Sequence, residues 1–249
     1  MLAFVDRMRF GPPRTNLELQ WIKRAGWLGR NLPARVPRAP HKEDIERAAR
    51  QTAELGPQAL AKEYGQPGAT RTPSQVRSTR LQGDVYAWLV RKRKPGVVVE
   101  FGAAFGVSGM YFGAALEAAR RGHLYSFEVN PEWAEVAEHN IRTVTERFTL
   151  TRGAMEETVD SVVPGLIDLV LVDGIHTYDF VLRQMDVLRP RLAPRAVVIL
   201  DDINFRKNRT RMRDAWLEVA GRPDVVAAVE VNRRMGVAQF SSAGRATAS

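Results

Sequence analysis

The sequence predicts an α/β fold: a mostly parallel sheet of seven strands with helices around it, a C-terminal antiparallel hairpin, and a helical N-terminal extension. Three observations carry this. From Val97 onward, short β-branched runs alternate with amphipathic stretches, the pattern of a parallel sheet covered by helices. The first run, Val97-Val98-Val99-Glu100-Phe101, passes through a glycine loop, Gly102-Ala103-Ala104-Phe105-Gly106, into a helical run. The last two runs are joined by only Asn232-Arg233-Arg234, too short for a parallel crossover.

Taken in order, residues 1–40 are rich in Pro and Arg, with Pro12, Pro13, Pro33, Pro37 and Pro40. Between these prolines the interleaving of Trp21, Ile22 and Trp27 with Lys23 and Arg24 predicts a short helix over Leu17–Leu28, docked on the protein itself or on a partner subunit. A membrane surface is the alternative. A second helix is expected over 41–63, a loop at Gly65, Pro67, Gly68 and Pro73, and a third helix over 74–93 with Val76, Leu81, Val85, Trp88 and Leu89 on one face. Strands are expected at 97–101, 123–128, 147–151, 167–172, 196–201, 225–231 and 235–240. Helices fall at 107–121, 132–144, 155–162, 177–192 and 207–220. This divides the chain into a basic extension (1–79), a main domain (80–240) and a small, polar, disordered tail (241–249).

Composition excludes several chemistries. The 249 residues include no cysteine, so there is no disulfide, zinc-thiolate site or cysteine nucleophile. No apolar run approaches the roughly 20 residues of a membrane span, and no secretory signal opens the chain, which reads as a soluble cytoplasmic protein. The net charge of +9 is uneven: residues 1–95 hold 19 Lys/Arg against 8 Asp/Glu, and residues 96–249 hold 18 against 20. The basic part suits nucleic acid or an anionic membrane, or simply a solubilising surface; no nucleic-acid motif accompanies it.

The glycine loop reads Glu-x-Gly-x-x-x-Gly, not the G-x-G-x-x-G of dinucleotide sites, and no Gly-Lys-Ser/Thr follows it. Gly102 and Gly106 let the backbone turn sharply and approach a ligand, with helix N–H groups facing it. This loop resembles the first motif of the Rossmann-like class I S-adenosylmethionine (SAM) methyltransferases. The resemblance extends over residues 80–240 and implies cofactor contacts from Glu100, Gly102, Ala103, Gly106 and Ser108. Glu128 ends the second main-domain strand, where an acid can accept from both ribose hydroxyls; its other reading is an acid at a helix start beside Asn130-Pro131-Glu132. After the third strand, Ala154 and Met155 stand where the family passes its adenine.

The stretch Ile167-Asp168-Leu169-Val170-Leu171-Val172-Asp173-Gly174-Ile175-His176-Thr177-Tyr178 delivers Asp173 to a strand end, where open α/β sheets bind ligands. A tight turn is the plainer reading of Asp173-Gly174. The longer pattern, Asp-Gly-x-His-x-Tyr-x-x-Val, resembles the small-molecule O-methyltransferases of the catechol and sugar type. That resemblance makes Asp173 a cofactor and catalytic residue and His176 a general base; a structural His bonded to a loop carbonyl is its alternative. The next strand ends in Asp201-Asp202, and neighbouring strands would gather Asp173, Asp201 and Asp202 at one edge. In the metal-dependent relatives such positions hold Mg²⁺ or another divalent cation; a metal-free capping pair is the alternative. The family's Pro-Gly-Gly turn is here Pro194-Arg195-Ala196. Arg206, Lys207, Arg209, Arg211 and Arg213 form a basic run that either receives an acidic substrate or is a solvated helix face.

The function expected is methyl transfer from SAM to a hydroxyl of a small molecule, with a second copy of the chain as a further candidate partner. Transfer to nitrogen or RNA, or a non-catalytic SAM-fold subunit, are the alternatives.

Overall fold

The computed structural model describes residues 17–66, 68–205 and 211–241. Pro12, Pro13, Arg206, Lys207, Arg209 and the tail beyond Ser241 lie outside the described residues. The strands run in chain order as β1 (Leu19–Arg24), β2 (Gln58–Ala59), β3 (Thr70–Arg71), β4 (Val97–Phe101) and β5 (His123–Glu128). They continue with β6 (Phe148–Arg152), β7 (Ile167–Val172), β8 (Leu192–Leu200), β9 (Val225–Val231) and β10 (Met235–Phe240). The helices are α1 (Gly26–Asn31), α2 (Lys42–Ala53), α3 (Pro73–Val76), α4 (Arg80–Arg93) and α5 (Val107–Ala119). After them come α6 (Pro131–Arg142), α7 (Met155–Val162), α8 (Tyr178–Leu188) and α9 (Met212–Gly221). One sheet has the order β1-β9-β10-β8-β7-β4-β5-β6, and β2 with β3 makes a separate ribbon. β4–β7, β7–β8 and β5–β6 are parallel, while β10 runs antiparallel to both β8 and β9. The expected architecture is therefore present, with one strand added.

The chain forms two compact units. In the first, built from residues 35–94 and 103–154, the helix expected over 41–63 stops at Ala53. Gly56 takes a left-handed φ of 69°, and Pro57 has no N–H to extend a helix, so the chain turns off into β2 and β3. The helix expected over 74–93 is likewise two helices, α3 and α4. α4 restarts at a capping box: Gln82 N–H donates to Thr79 Oγ1 (3.3 Å), and Thr79 N–H donates to Gln82 Oε1 (2.8 Å). Two buried acids tie the segments together. Glu46 accepts from the Tyr111 hydroxyl (2.8 Å) and Arg80 Nε (2.6 Å); Asp84 accepts from Ala39 N–H (2.9 Å) and Lys42. Burial, with Glu46 alongside, pushes the Tyr111 phenol far above its ordinary range, so it stays a donor.

The second unit joins residues 17–34, 95–102 and the chain from Met155 onward. Here residues 17–28, expected as a helix, instead supply β1 and the start of α1. Leu19, Trp21 and Lys23 are half-buried, while Gln20, Ile22 and Arg24 are exposed, a period of two. β1 pairs antiparallel with β9, Leu19 opposite Val231 and Arg24 opposite Ala227. Lys23 reaches the end of α9, donating to the carbonyls of Gly221 (3.2 Å), Arg222 (2.9 Å) and Val225 (3.3 Å). The long-range partner, not the local pattern, decides the conformation. β8 starts earlier than expected, and at its Pro-Arg-Ala turn Arg195 has φ 65°, the left-handed conformation that a glycine holds without strain.

Gly83 on α4 faces the Tyr111 ring so closely that an added Cβ would lie 2.3 Å from it, and Tyr111 is fully buried. Gly83→Ala is therefore expected to destabilise the protein by about 1–3 kcal/mol through overpacking. Gly221→Ala, where an added Cβ meets nothing within 4 Å, should be neutral or slightly stabilising. Urea midpoints of the two variants check the pair.

Candidate active site

In the first unit the acid at the end of β5 is set by its own backbone. Glu128 is 1% exposed; its Oε2 accepts Ala104 N–H (2.8 Å) and its Oε1 accepts Asn130 N–H (2.9 Å). Two bonds hold the carboxylate in one orientation, and a carboxylate is an acceptor, as ribose hydroxyl donors require. The helix start belongs to Asn130 instead, whose side chain accepts from Glu132 N–H (3.0 Å) and Trp133 N–H (3.2 Å). Ala104 has φ 46°, left-handed for a residue with a Cβ, and its bond to Glu128 holds it there. Gly106 (φ 83°) opens α5, and a Cβ on it would lie 2.8 Å from Ala137, so this glycine serves helix packing as well as the turn. Ala103 and Ser108 are buried, and Ala154 is half-buried.

In the second unit the carboxylates gather at the C-terminal ends of β7 and β8. Asp173 N–H donates to Phe101 O (3.0 Å), and Asp201 N–H donates to Val172 O (3.1 Å). Gly102 (φ 80°) passes so close to this edge that a Cβ would lie 2.3 Å from Asp173 O. Glu100 is fully buried on β4, and Met155 is buried at the start of α7. His176 Nε2 lies 3.1 Å from Asp173 Oδ1. Burial, then the charge of Asp201, pushes Asp173 up to about 7, against the opposing pull of His176. Burial lowers His176, but the bond and charge of Asp173, followed by Asp202 and Asp201, outweigh it and raise the imidazole to about 9. The two groups thus act as one proton-holding pair.

Sequence reasoning missed Arg234. From the turn between β9 and β10, its Nε lies 2.9 Å from Asp202 Oδ1 and its Nη2 lies 3.5 Å from Asp201 Oδ2. Burial raises Asp201, and Arg234 is the main force lowering it. The hairpin loop did point to a turn, but nothing in its spacing marked a charge partner for Asp201-Asp202. The donor set expected for a divalent cation is therefore already engaged by a guanidinium and an imidazole. Among the described residues no group of three or more His, Asp or Glu is arranged to hold a metal ion. These residues do not fit a Mg²⁺ site.

Among the described residues, members of the basic run and of the basic N-terminal part have partners of their own. Arg211 pairs with Asp214 (2.8 Å) and lies over the Tyr178 ring (4.4 Å); Arg213 pairs with the buried Glu230. Arg91 donates to the carbonyls of Arg38 (3.1 Å) and Pro37 (3.2 Å). No helix among the described residues is long and apolar enough to cross a membrane.

The Glu128 arrangement makes a test of its own. In Glu128→Gln one of the two backbone N–H donors would face an amide NH₂ in place of an oxygen, an unmet buried donor costing about 1–3 kcal/mol. A lowered urea midpoint with an unchanged m-value is the expected result.

Residues 99–203 match a family of methyltransferase domains. The y4gI protein of Sinorhizobium fredii is 29% identical over 149 residues, 53% of this chain and 16% of that protein, so the chain spans under a fifth of that relative's length. The fold is similar to TomG of Streptomyces achromogenes, an O-methyltransferase involved in tomaymycin synthesis, solved with SAM: TM-score 0.61, 19% identity, covering 82% of this chain and 92% of TomG. It is similar to an O-methyltransferase from Bacillus cereus solved with SAH: TM-score 0.59, 15% identity, covering 79% of this chain and 90% of that one. A third likeness is the SAH-bound Podospora anserina methyltransferase PaMTH1, with TM-score 0.60 and 15% identity over 80% of this chain and 88% of that one. At these identities the three structures speak for the fold. Residues 99–203 thus match a methyltransferase-domain family, and the fold is the one these methyltransferase structures share.

Proposed function

We propose that the protein transfers a methyl group from SAM to a hydroxyl oxygen of a small molecule, and that Asp173 with His176 takes up the hydroxyl proton. The observation that carries this is the 3.1 Å contact between His176 Nε2 and Asp173 Oδ1 at the end of β7. Structural neighbours that are O-methyltransferases support the oxygen acceptor. Toward SAM we assign Ala103, Gly106, Ser108, Glu128 and Ala154 of the first unit.

SAM supplies a methyl group on a sulfonium, already activated for displacement. The protein's task is then alignment and the handling of one proton. As the C–S bond breaks and the O–CH₃ bond forms, the hydroxyl hydrogen leaves to the Asp173–His176 pair and then to solvent. With Nε2 turned to Asp173, Nδ1 is the ring nitrogen left to take the substrate proton, and it does so from the neutral imidazole, whose share grows as pH rises toward about 9. No step passes through a metal ion. The acceptor is assigned to small hydroxylated molecules such as phenols or sugars. Transfer to RNA is disfavoured, because the described basic side chains of residues 17–95 bond in good part to the chain's own carbonyls and carboxylates.

His176→Ala should leave SAM affinity by calorimetry nearly unchanged. Turnover on an acceptor found in a panel of phenols and sugars should fall by about 10²–10⁴-fold. An unchanged rate across pH would return His176 to a structural role.

A further inference from the structure

We propose that Arg234 is the resident counter-ion of the carboxylate edge: a positioning residue that neutralises and fixes Asp201 and Asp202 where a divalent cation would otherwise be needed. The inference takes from the methyltransferase reading only the chemistry that this edge serves.

Two acids stand on consecutive residues at this edge. Asp201 is 2% exposed, and Asp202 sits in a left-handed turn (φ 49°) directly after it. Adjacent carboxylates repel unless positive charge lies close to both. Arg234 provides it with one planar group, Nε at 2.9 Å from Asp202 and Nη2 at 3.5 Å from Asp201. A guanidinium suits this work because it is always charged and presents several donors in a fixed fork.

The backbone also helps to hold Arg234 in place. Asn232 (φ 53°) and Arg233 (φ 55°) make the left-handed turn of a tight hairpin, closed by Arg234 N–H to Val231 O at 3.1 Å. Ile203 N–H donates to Arg234 O (2.9 Å), and the Asn204 side-chain amide donates to Arg233 O. The hairpin turn is thus bonded along its main chain to the loop that carries both acids. Asn232 is bonded in turn to residue 18, N–H to Glu18 O at 2.8 Å and Oδ1 from Glu18 N–H at 2.8 Å. A cation entering here would have to expel a tethered guanidinium and then tolerate its charge. Mg²⁺ gives up its waters reluctantly and depends on the negative charge of its ligands, so it gains little from acids already paired.

The test uses the full chain and Mn²⁺ alone as probe, with the free-ion signal read by electron paramagnetic resonance. Wild type should leave that signal undiminished. Arg234→Met should take up Mn²⁺ stoichiometrically and lose it again when Asp201→Asn is added; Arg234→Lys, which restores the charge, should not bind. Stoichiometric uptake by wild type overturns the proposal, whether or not any variant folds. Absence of uptake by an Arg234→Met protein with wild-type circular dichroism overturns it as well. SAM calorimetry on wild type is read separately: failure to bind SAM strikes the methyltransferase reading and leaves the Mn²⁺ result standing.

Discussion

The arrangement of the carboxylate edge depends on the parallel ladder through β4, β7 and β8 continuing past the strands themselves. Val172 stands opposite Phe101 on one side and Leu200 on the other. The bonds from Asp173 to Phe101 and from Asp201 to Val172 then carry the same pairing one residue further. That extra residue decides the chemistry, since it fixes the backbone at the points from which both acids project. It also leaves no room beside Asp173, and this is why β4 must leave through Gly102. Any side chain there would meet the Asp173 carbonyl at 2.3 Å, in a backbone conformation that L residues rarely adopt.

The charges at this edge are divided between two cations of different kinds. His176 can give and take a proton, whereas a guanidinium cannot. Asp173 is paired with the first, and Asp201 and Asp202 with the second. The division separates proton handling from the fixing of shape. It also explains how three acids can share one sheet edge: each carboxylate has a positive group close to it, and the repulsion among them appears as raised affinity for protons at Asp173 and Asp201.

Much of this could be read from the residues. β4, β5, β7, β9 and β10 fall where alternation and β-branching placed them, because buried strands leave an unbroken apolar signature. The strand-end acids followed from the rule that open α/β sheets present functional groups at their carboxyl ends. β1 was not legible. Trp21, Ile22 and Trp27 satisfy a helical stripe as well as a strand, and the choice is made by a partner about 200 residues away. Arg234 was hidden for a related reason: the hairpin turn and the loop after β8 meet only in three dimensions. With it missing, an acid pair beside Asp173 looked like a ligand set in want of a cation. Gly106 shows a smaller gap, since a glycine read as making room for a ligand also makes room for α6.

The pairing of β1 with β9 bears on how the protein is made. Leu19 leaves the ribosome well before its opposite number, Val231. Until that late segment has been synthesised, β1 has no edge to join, and Trp21 with its half-buried neighbours stays in contact with solvent or with whatever binds nascent chains. Residues 35–94 and 103–154, whose bonds are closer in sequence, can order sooner. The assembly of the second unit thus waits for β9 to be synthesised, and its longest-range contacts join an early strand to a late one.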